Sequence, residues 1–502
     1  MSTTTNDQVA IINNEPLFDC DPTDGDPAHC NSKPIKLQRK LGRLHGFSLI
    51  IGLILGSGVF VSPGLVAKDT SSTGMQLIMW VAGGIIALLG ALCYCEIACM
   101  FKMAGGSYAN IFNIYGSMAA FLTAWVNCLV IDPSSIAATA LTIGTYVVKP
   151  FYETDSNGEK VAKLIAFGLI VLVFIINSSS AKVTNMIQRV LSVIQILSVA
   201  FVIIIGIWQL IENKTGNFNH PFSGTVFNKH SPLHFGIALF GALWSYDGWA
   251  SMTSVVEELD NVEQNLVLTL ITGIPFVIFC YIMANISFLA VLSHQQIGAT
   301  DTVAIDFIDK VLGVKTSYLM MVLVALSAFG NLNGSFFTAP RTTMSAGREG
   351  HMPFIFSLLY HKNEQPIPAS VLLMVVSSLM LLPETSNLNT LILLFSQAQW
   401  ILYTASTIGV IILRYRRPDI DRPFKVFLGI PVFFSIIGVY LVIIPFFRYF
   451  WLSIGMFGFI ALGMPIYLLC VKYLPSCCSN FMEICNMKFQ VYFGFVPCSK
   501  ET

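Results

Sequence analysis

The sequence predicts an all-α membrane protein of twelve transmembrane helices, built as two five-helix halves of inverted topology plus two further spans. Helices 1 and 6 are broken. Three observations predict this. Of 502 residues, 55% are hydrophobic and only 11% charged, with a mean hydropathy of +0.70, a composition outside the soluble range. Twelve apolar stretches reach membrane length. Two of these, five spans apart, are interrupted at mid-depth by residues that disfavour a helix. The formal net charge is zero, so no bulk basic signal points to nucleic acid.

In chain order the first five spans are Phe47–Val66, Gln76–Met100, Gly116–Val148, Val161–Asn177 and Val190–Ile211. The next five are Phe235–Val256, Leu266–Leu292, Tyr318–Thr343, Ile367–Leu382 and Leu388–Leu413, followed by Val426–Phe447 and Tyr449–Val471. The halves are residues 45–211 and 234–413, with the last two spans in 424–472. The third span is long enough to tilt, or to bend at Pro133. The ninth is the shortest. No cleavable leader is visible, and the amino tail (residues 1–44) is polar and reads as disordered. With that tail inside, 19 of the 28 Lys and Arg residues fall in inner segments, which places both termini in the cytosol. The carboxyl tail, residues 473–502, mixes aromatic and apolar residues over 481–495 and reads as an interfacial helix.

The first interruption is Leu53-Ile54-Leu55-Gly56-Ser57-Gly58-Val59. Each Gly costs a helix about 1 kcal/mol relative to Ala. Lipid tolerates a break only where it faces protein or a water-filled cavity. Such a break frees N–H groups that attract an anion and carbonyls that attract a cation. A free amino acid carries both charges a few atoms apart. Taken alone, the same small residues also suit close helix packing. The second interruption, Trp244-Ser245-Tyr246-Asp247-Gly248-Trp249, places a carboxylate at bilayer depth, where charge is expensive. Together the two interruptions favour a substrate site at the interface of the halves.

At this point the chain resembles the light chains of heteromeric amino acid transporters, of the L-type and cystine/dibasic type, in the amino acid–polyamine–organocation superfamily with its LeuT-like fold. The motifs that carry the resemblance are Ile51-Gly-Leu-Ile-Leu-Gly-Ser-Gly-Val-Phe-Val-Ser-Pro63, Gly90-Ala-Leu-Cys-Tyr-Cys-Glu96, Gly105-Gly-Ser-Tyr108, Glu257-Glu258, Gly347-Arg-Glu-Gly-His351 and Arg422-Pro-Phe-Lys-Val426. The Leu243-Trp-Ser-Tyr-Asp-Gly-Trp249 stretch is nearest the cystine/dibasic branch. The resemblance implies sodium-independent exchange of amino acids, cationic and large neutral ones here, across the plasma membrane. It implies that the substrate carboxylate meets the amides of Ser57, Gly58 and Val59. The ammonium then meets carbonyls of Leu53 or Ile54 and of the sixth-span break near Trp244, with Ser245 beside it, and Trp244 closes over the substrate. No cofactor is implied.

This chain departs from the family at three places. The outer loop Lys149–Lys160, where relatives carry the cysteine that bonds a single-span glycoprotein heavy chain, has no cysteine. Non-covalent pairing is what remains. Gln195 stands where many relatives carry a lysine in the fifth span. Asp132 precedes Pro133 where relatives often carry Lys or Arg.

The remaining polar residues divide between cavity and scaffold. Asp247 is expected to face the substrate side chain, its rival role being to bond backbone N–H groups freed at the break. Gln399 and Asn333 are candidates to line the cavity, though Asn331, Asn333 and Ser335 read first as glue between helices. Asp132 either lines it or caps a helix kinked at Pro133. Glu96 is expected to pair with Lys102. Gly105-Gly106 reads as a turn at the inner mouth, and His351 and His361 need no role. The twelve cysteines all lie in spans or inner segments, so neither a disulfide scaffold nor a metal site is expected. Of the sequons, only Asn213 falls in an outer loop, where a glycan is feasible. No His-Glu-x-x-His or Gly-x-Ser-x-Gly motif supports an intramembrane enzyme. The alternatives to a cationic and neutral exchanger are an exchanger of neutral amino acids alone and a non-transporting sensor.

Overall fold

In a computed structural model, the structure describes residues 42–149, 151–152, 156–212, 216–225, 231–383, 387–473, 490 and 494–497. It also describes four two-residue strands in the amino tail, paired as Ile11–Ile12 (β1) with Glu15–Pro16 (β2) and Phe18–Asp19 (β3) with Asn31–Ser32 (β4). The rest of the tail expected to be disordered lies outside the described residues, as does Asn213.

The helices run in chain order as α1 (Arg43–Ile54), α2 (Gly58–Asp69), α3 (Thr73–Phe101), α4 (Ser107–Tyr115), α5 (Ser117–Val126), α6 (Asp132–Val148), α7 (Ser156–Ser179), α8 (Ala181–Ile211) and α9 (Ser231–Tyr246). They continue as α10 (Val262–Val291), α11 (His294–Gly298), α12 (Val303–Leu312), α13 (Val314–Arg348), α14 (Ile367–Leu379), α15 (Leu388–Arg416), α16 (Gly429–Ile443), α17 (Pro445–Arg448) and α18 (Phe450–Tyr467). Among the described residues, ten helical segments are long and apolar enough to cross a membrane. The sixth and ninth expected spans are not among them. The sixth divides at Gly248 (φ +109°) into α9 and a 3-10 helix, Ala250–Glu258. The ninth, α14, has 13 residues, about 20 Å at 1.5 Å per residue.

The interrupted first span sits at the centre. Its most apolar stretch is 94% buried, against 11% for the last span. Helix α1 lies between α8 and α10, and α2 packs on α9. Helix α6 packs on α7 and α13. Between α5 and α6 the helix widens into a π-turn, Asn127–Ile131, just before Pro133, whose missing N–H loosens the hydrogen-bond ladder.

Three buried carboxylates are each paired with an arginine. Glu257 accepts from both Arg348 nitrogens at 2.8 and 2.9 Å and from the Ala104 N–H at 3.0 Å. Glu258 is paired with Arg341, which also bonds the Phe337 carbonyl. These pairs tie the 3-10 helix to the end of α13. Gly105 (φ +121°) and Gly106 (φ +55°) make the expected turn beside them. Two expectations are corrected here. Glu96, only 1% exposed, pairs not with Lys102 but with Arg414, whose Nε lies at 3.0 Å, and accepts the Val426 N–H at 3.0 Å. Lys102, a left-handed residue capping α3, instead reaches Glu263 at 2.7 Å. His351 is also not idle. It is buried, with Nδ1 2.7 Å from the Tyr108 hydroxyl and Nε2 2.6 Å from that of Ser117.

The interfacial helix expected over 481–495 lies almost wholly outside the described residues. Its last residue opens a strand, Phe495–Pro497 (β6), that pairs antiparallel with Leu358–Tyr360 (β5). The described cysteines are all unpaired, and among the described residues no His, Cys, Asp or Glu group is placed to hold a metal.

Removing one partner of a buried ion pair leaves an uncompensated charge and costs about 3–5 kcal/mol. Glu258→Gln should therefore lower the melting temperature and the monodisperse yield in detergent. Adding Arg341→Met to it should recover part of the loss, measured by size-exclusion thermal melts.

Candidate substrate site

The two interruptions meet. At α1, Leu55 leaves the helical ladder, and the Gly56 N–H turns back to Ile54 O at 2.8 Å. Helix α2 then starts at Gly58, so the N–H groups of Ser57, Gly58 and Val59 lie in its first turn, where intrahelical acceptors are lacking. A Cβ on Gly58 would come within 2.7 Å of the Ser245 backbone, and one on Gly248 within 3.0 Å of Leu53. Only hydrogen at these positions lets the breaks touch. The freed carbonyls are partly capped by protein. Asn331 Nδ2 donates to Leu53 O, and the Tyr281 hydroxyl donates to Ile54 O and, at 3.0 Å, to Ser245 O.

A cavity lies against both breaks. Leu53, Ile54, Gly56, Ser57, Gly58, Trp244, Ser245, Asp247, Asp132 and Gln399 all line it. Val59 does not. Its side chain is buried in the core, and only its N–H sits at the helix start. Asn333, expected in the cavity, is elsewhere. It donates to Gln188 Oε1 at 2.6 Å and accepts from Asn177 at 3.0 Å. The physical reason is helical phase. Asn331, Ser335, Thr338 and Thr342 share the cavity face of α13, and Asn333, two residues from Asn331, points away from it. That stripe at i, i+4, i+7 and i+11 was the readable signal for these lining residues. Ser107, Asn127, Ser135, Thr139, Ser251 and Ser254 also line the cavity without being singled out from sequence.

Gln195 stays outside the cavity. Its amide, fully buried, donates to Gly52 O at 3.2 Å and Ser327 O at 2.8 Å. It joins α8 to α1 and α13 without a charge.

Trp244, half-buried, lines both the cavity and a smaller recess shared with Trp249, Phe395, Trp400 and Tyr403. Trp249 and Tyr403 have ring centroids 4.5 Å apart. The Tyr403 hydroxyl donates to Asp247 Oδ1 at 2.6 Å. The cavity lining holds two carboxylates, Asp132 and Asp247, and no Lys, Arg or His. Helix N–H groups at one side, carbonyls and carboxylates at the other, suit a ligand with one anionic and one or more cationic groups.

Residues 41–467 match the family model described as amino acid permease. The chain belongs to the amino acid permease family. Human b(0,+)-type amino acid transporter 1 is 34% identical over 466 residues, covering 93% of this chain and 94% of that protein. Human large neutral amino acids transporter small subunit 2 is 33% identical, covering 91% and 85%. The human cystine/glutamate transporter is 33% identical, covering 84% and 83%. These relatives agree with the resemblance carried by the motifs, and the permease family is one of transporters, not enzymes.

The contact between the breaks gives a test. Gly58→Ala forces a methyl against the Ser245 backbone, an overpacking cost of about 1–3 kcal/mol. Uptake of a permeant amino acid should fall about tenfold or more. Gly168→Ala, with open space around its Cβ, should transport like the wild type at equal expression.

Proposed function

We propose that this permease exchanges cationic and large neutral L-amino acids across the plasma membrane without sodium. The carrying observation is the cavity at the crossing of the two breaks, with two carboxylates and no cationic side chain. The substrate carboxylate takes the amides opening α2, and its ammonium takes carbonyls at the end of α1 and of α9. A substrate side chain bearing a positive charge is then attracted by the acidic lining, and one bearing a negative charge is repelled. Water fills the place of the side-chain cation when a neutral substrate binds. The relatives are named for substrates of different charge, large neutral amino acids and cystine with glutamate among them, and the acidic lining argues here for cationic and neutral ones.

In this proposal, α9 with its 3-10 extension and α14 complete a twelve-span topology. Residues 45–211 and 234–413 form the LeuT-like inverted halves, and both termini are cytosolic. Purified protein in liposomes preloaded with unlabelled Leu should take up labelled Arg and Leu, each inhibited by excess Arg, Lys and Leu and neither by Glu. Leu exchange without Arg exchange would point to a neutral amino acid exchanger. Binding of either without exchange would point to a sensor.

The proposal includes a single-span glycoprotein heavy chain held without a disulfide. Such a partner should co-purify in mild detergent, and the light chain should run alone on non-reducing gels. A reducible band larger by the mass of a glycoprotein would assign the link to another cysteine.

A further inference from the structure

We infer that Asp132, rather than Asp247, receives the side-chain cation of a dibasic substrate. This rests on the reading of the cavity as the substrate site, and it divides the work between the two carboxylates.

Asp247 is already engaged. One oxygen accepts the Tyr403 hydroxyl at 2.6 Å. That bond ties the break to the aromatic wall of Trp249, Tyr403 and Trp400. It holds Asp247 in a scaffolding role.

Asp132 is different. It lines the same cavity from α6. Among the described residues its carboxylate has neither a hydrogen-bond nor an ion-pair partner. A helix-capping role does not account for it. The chain arrives at Asp132 already helical, and its N–H bonds Asn127 O across the π-turn. Pro133 has no N–H to cap, and the start of α6 shows no side-chain cap. The extra residue of the π-turn changes the helical phase at the point where Asp132 meets the cavity. Ser135, Ile136 and Thr139 follow it on the same face. An unpartnered carboxylate within a membrane-spanning segment is costly unless something it binds compensates it. The free cation in this system is the ammonium or guanidinium of the substrate side chain.

The test compares the Michaelis constants for Arg and Leu in reconstituted wild type, Asp132→Asn, Asp132→Glu and Asp247→Asn. A charge-assisted hydrogen bond lost at Asp132 should raise the Arg constant about 10- to 150-fold. The Leu constant should stay within about twofold, and this retained Leu exchange reports that the variant folds. Asp132→Glu should recover much of the Arg affinity. Asp247→Asn should impair both substrates together, since it loosens the break. Asp132→Asn with unchanged Arg affinity, or with Arg and Leu lost together and no recovery in Asp132→Glu, would overturn the assignment. Selective loss of Arg in Asp247→Asn alone would overturn it while leaving the cationic exchanger standing. A wild type that exchanges Leu but not Arg would overturn both.

Discussion

The Tyr281 hydroxyl holds the two interrupted spans together. Its single proton faces Ile54 O from one break and Ser245 O from the other. Backbone polar groups freed within a membrane need partners, and here a side chain from a third helix supplies one to both interruptions. Asn331 does the same for Leu53 O from α13. The capping is asymmetric. Carbonyls at the end of α1 receive protein donors but keep a second lone pair, whereas the amides opening α2 are left to the cavity. The arrangement binds an anion more openly than a cation at the helix ends, so a substrate's positive groups depend more on carboxylates.

Around that centre, the structure keeps charge in pairs. Glu96, Glu257 and Glu258 each have an arginine and lie outside the cavity lining. Buried pairs of this kind add little net stability, but losing one partner is severe. They fix the relation of the 3-10 helix to α13 and of α3 to α15. The polar groups inside the cavity follow another rule. Apart from Asp132 and Asp247 they are hydroxyls and amides on helical stripes, which hydrate easily and exchange partners cheaply, as suits a ligand that enters and leaves.

Much of this was legible in the sequence because its signals were local. Gly56-Ser57-Gly58 and Asp247-Gly248 broke an apolar pattern, and the breaks were visible without knowing what they touched. Asn333 glues helices, as its polar side chain in an apolar span suggested, while Asn331 and Ser335 face the cavity; one letter does not give helical phase, and the phase of α13 is set by its packing against α6 and α8. Glu96 was assigned a near neighbour in sequence, Lys102, and its partner proved to be Arg414, more than three hundred residues away. Long-range pairing is decided by tertiary contact, for which no local signal exists. The length of spans 6 and 9 was hidden for a related reason: hydropathy reports burial in lipid or protein alike, and does not report where a helix stops.

The acidic cavity has an electrical consequence. Its two carboxylates are fixed to the protein and complete no passage across the membrane, so the charge carried per cycle is that of the cargo. If Arg enters as Leu leaves, one positive charge crosses per turnover. At an inside-negative potential of about 100 mV that charge is worth about 2.3 kcal/mol. This is roughly a fiftyfold bias in the ratio of the exchanged pools. Under the proposed exchange of Arg for Leu, the membrane voltage is thus itself a driving force, set by the difference in charge between the two cargoes.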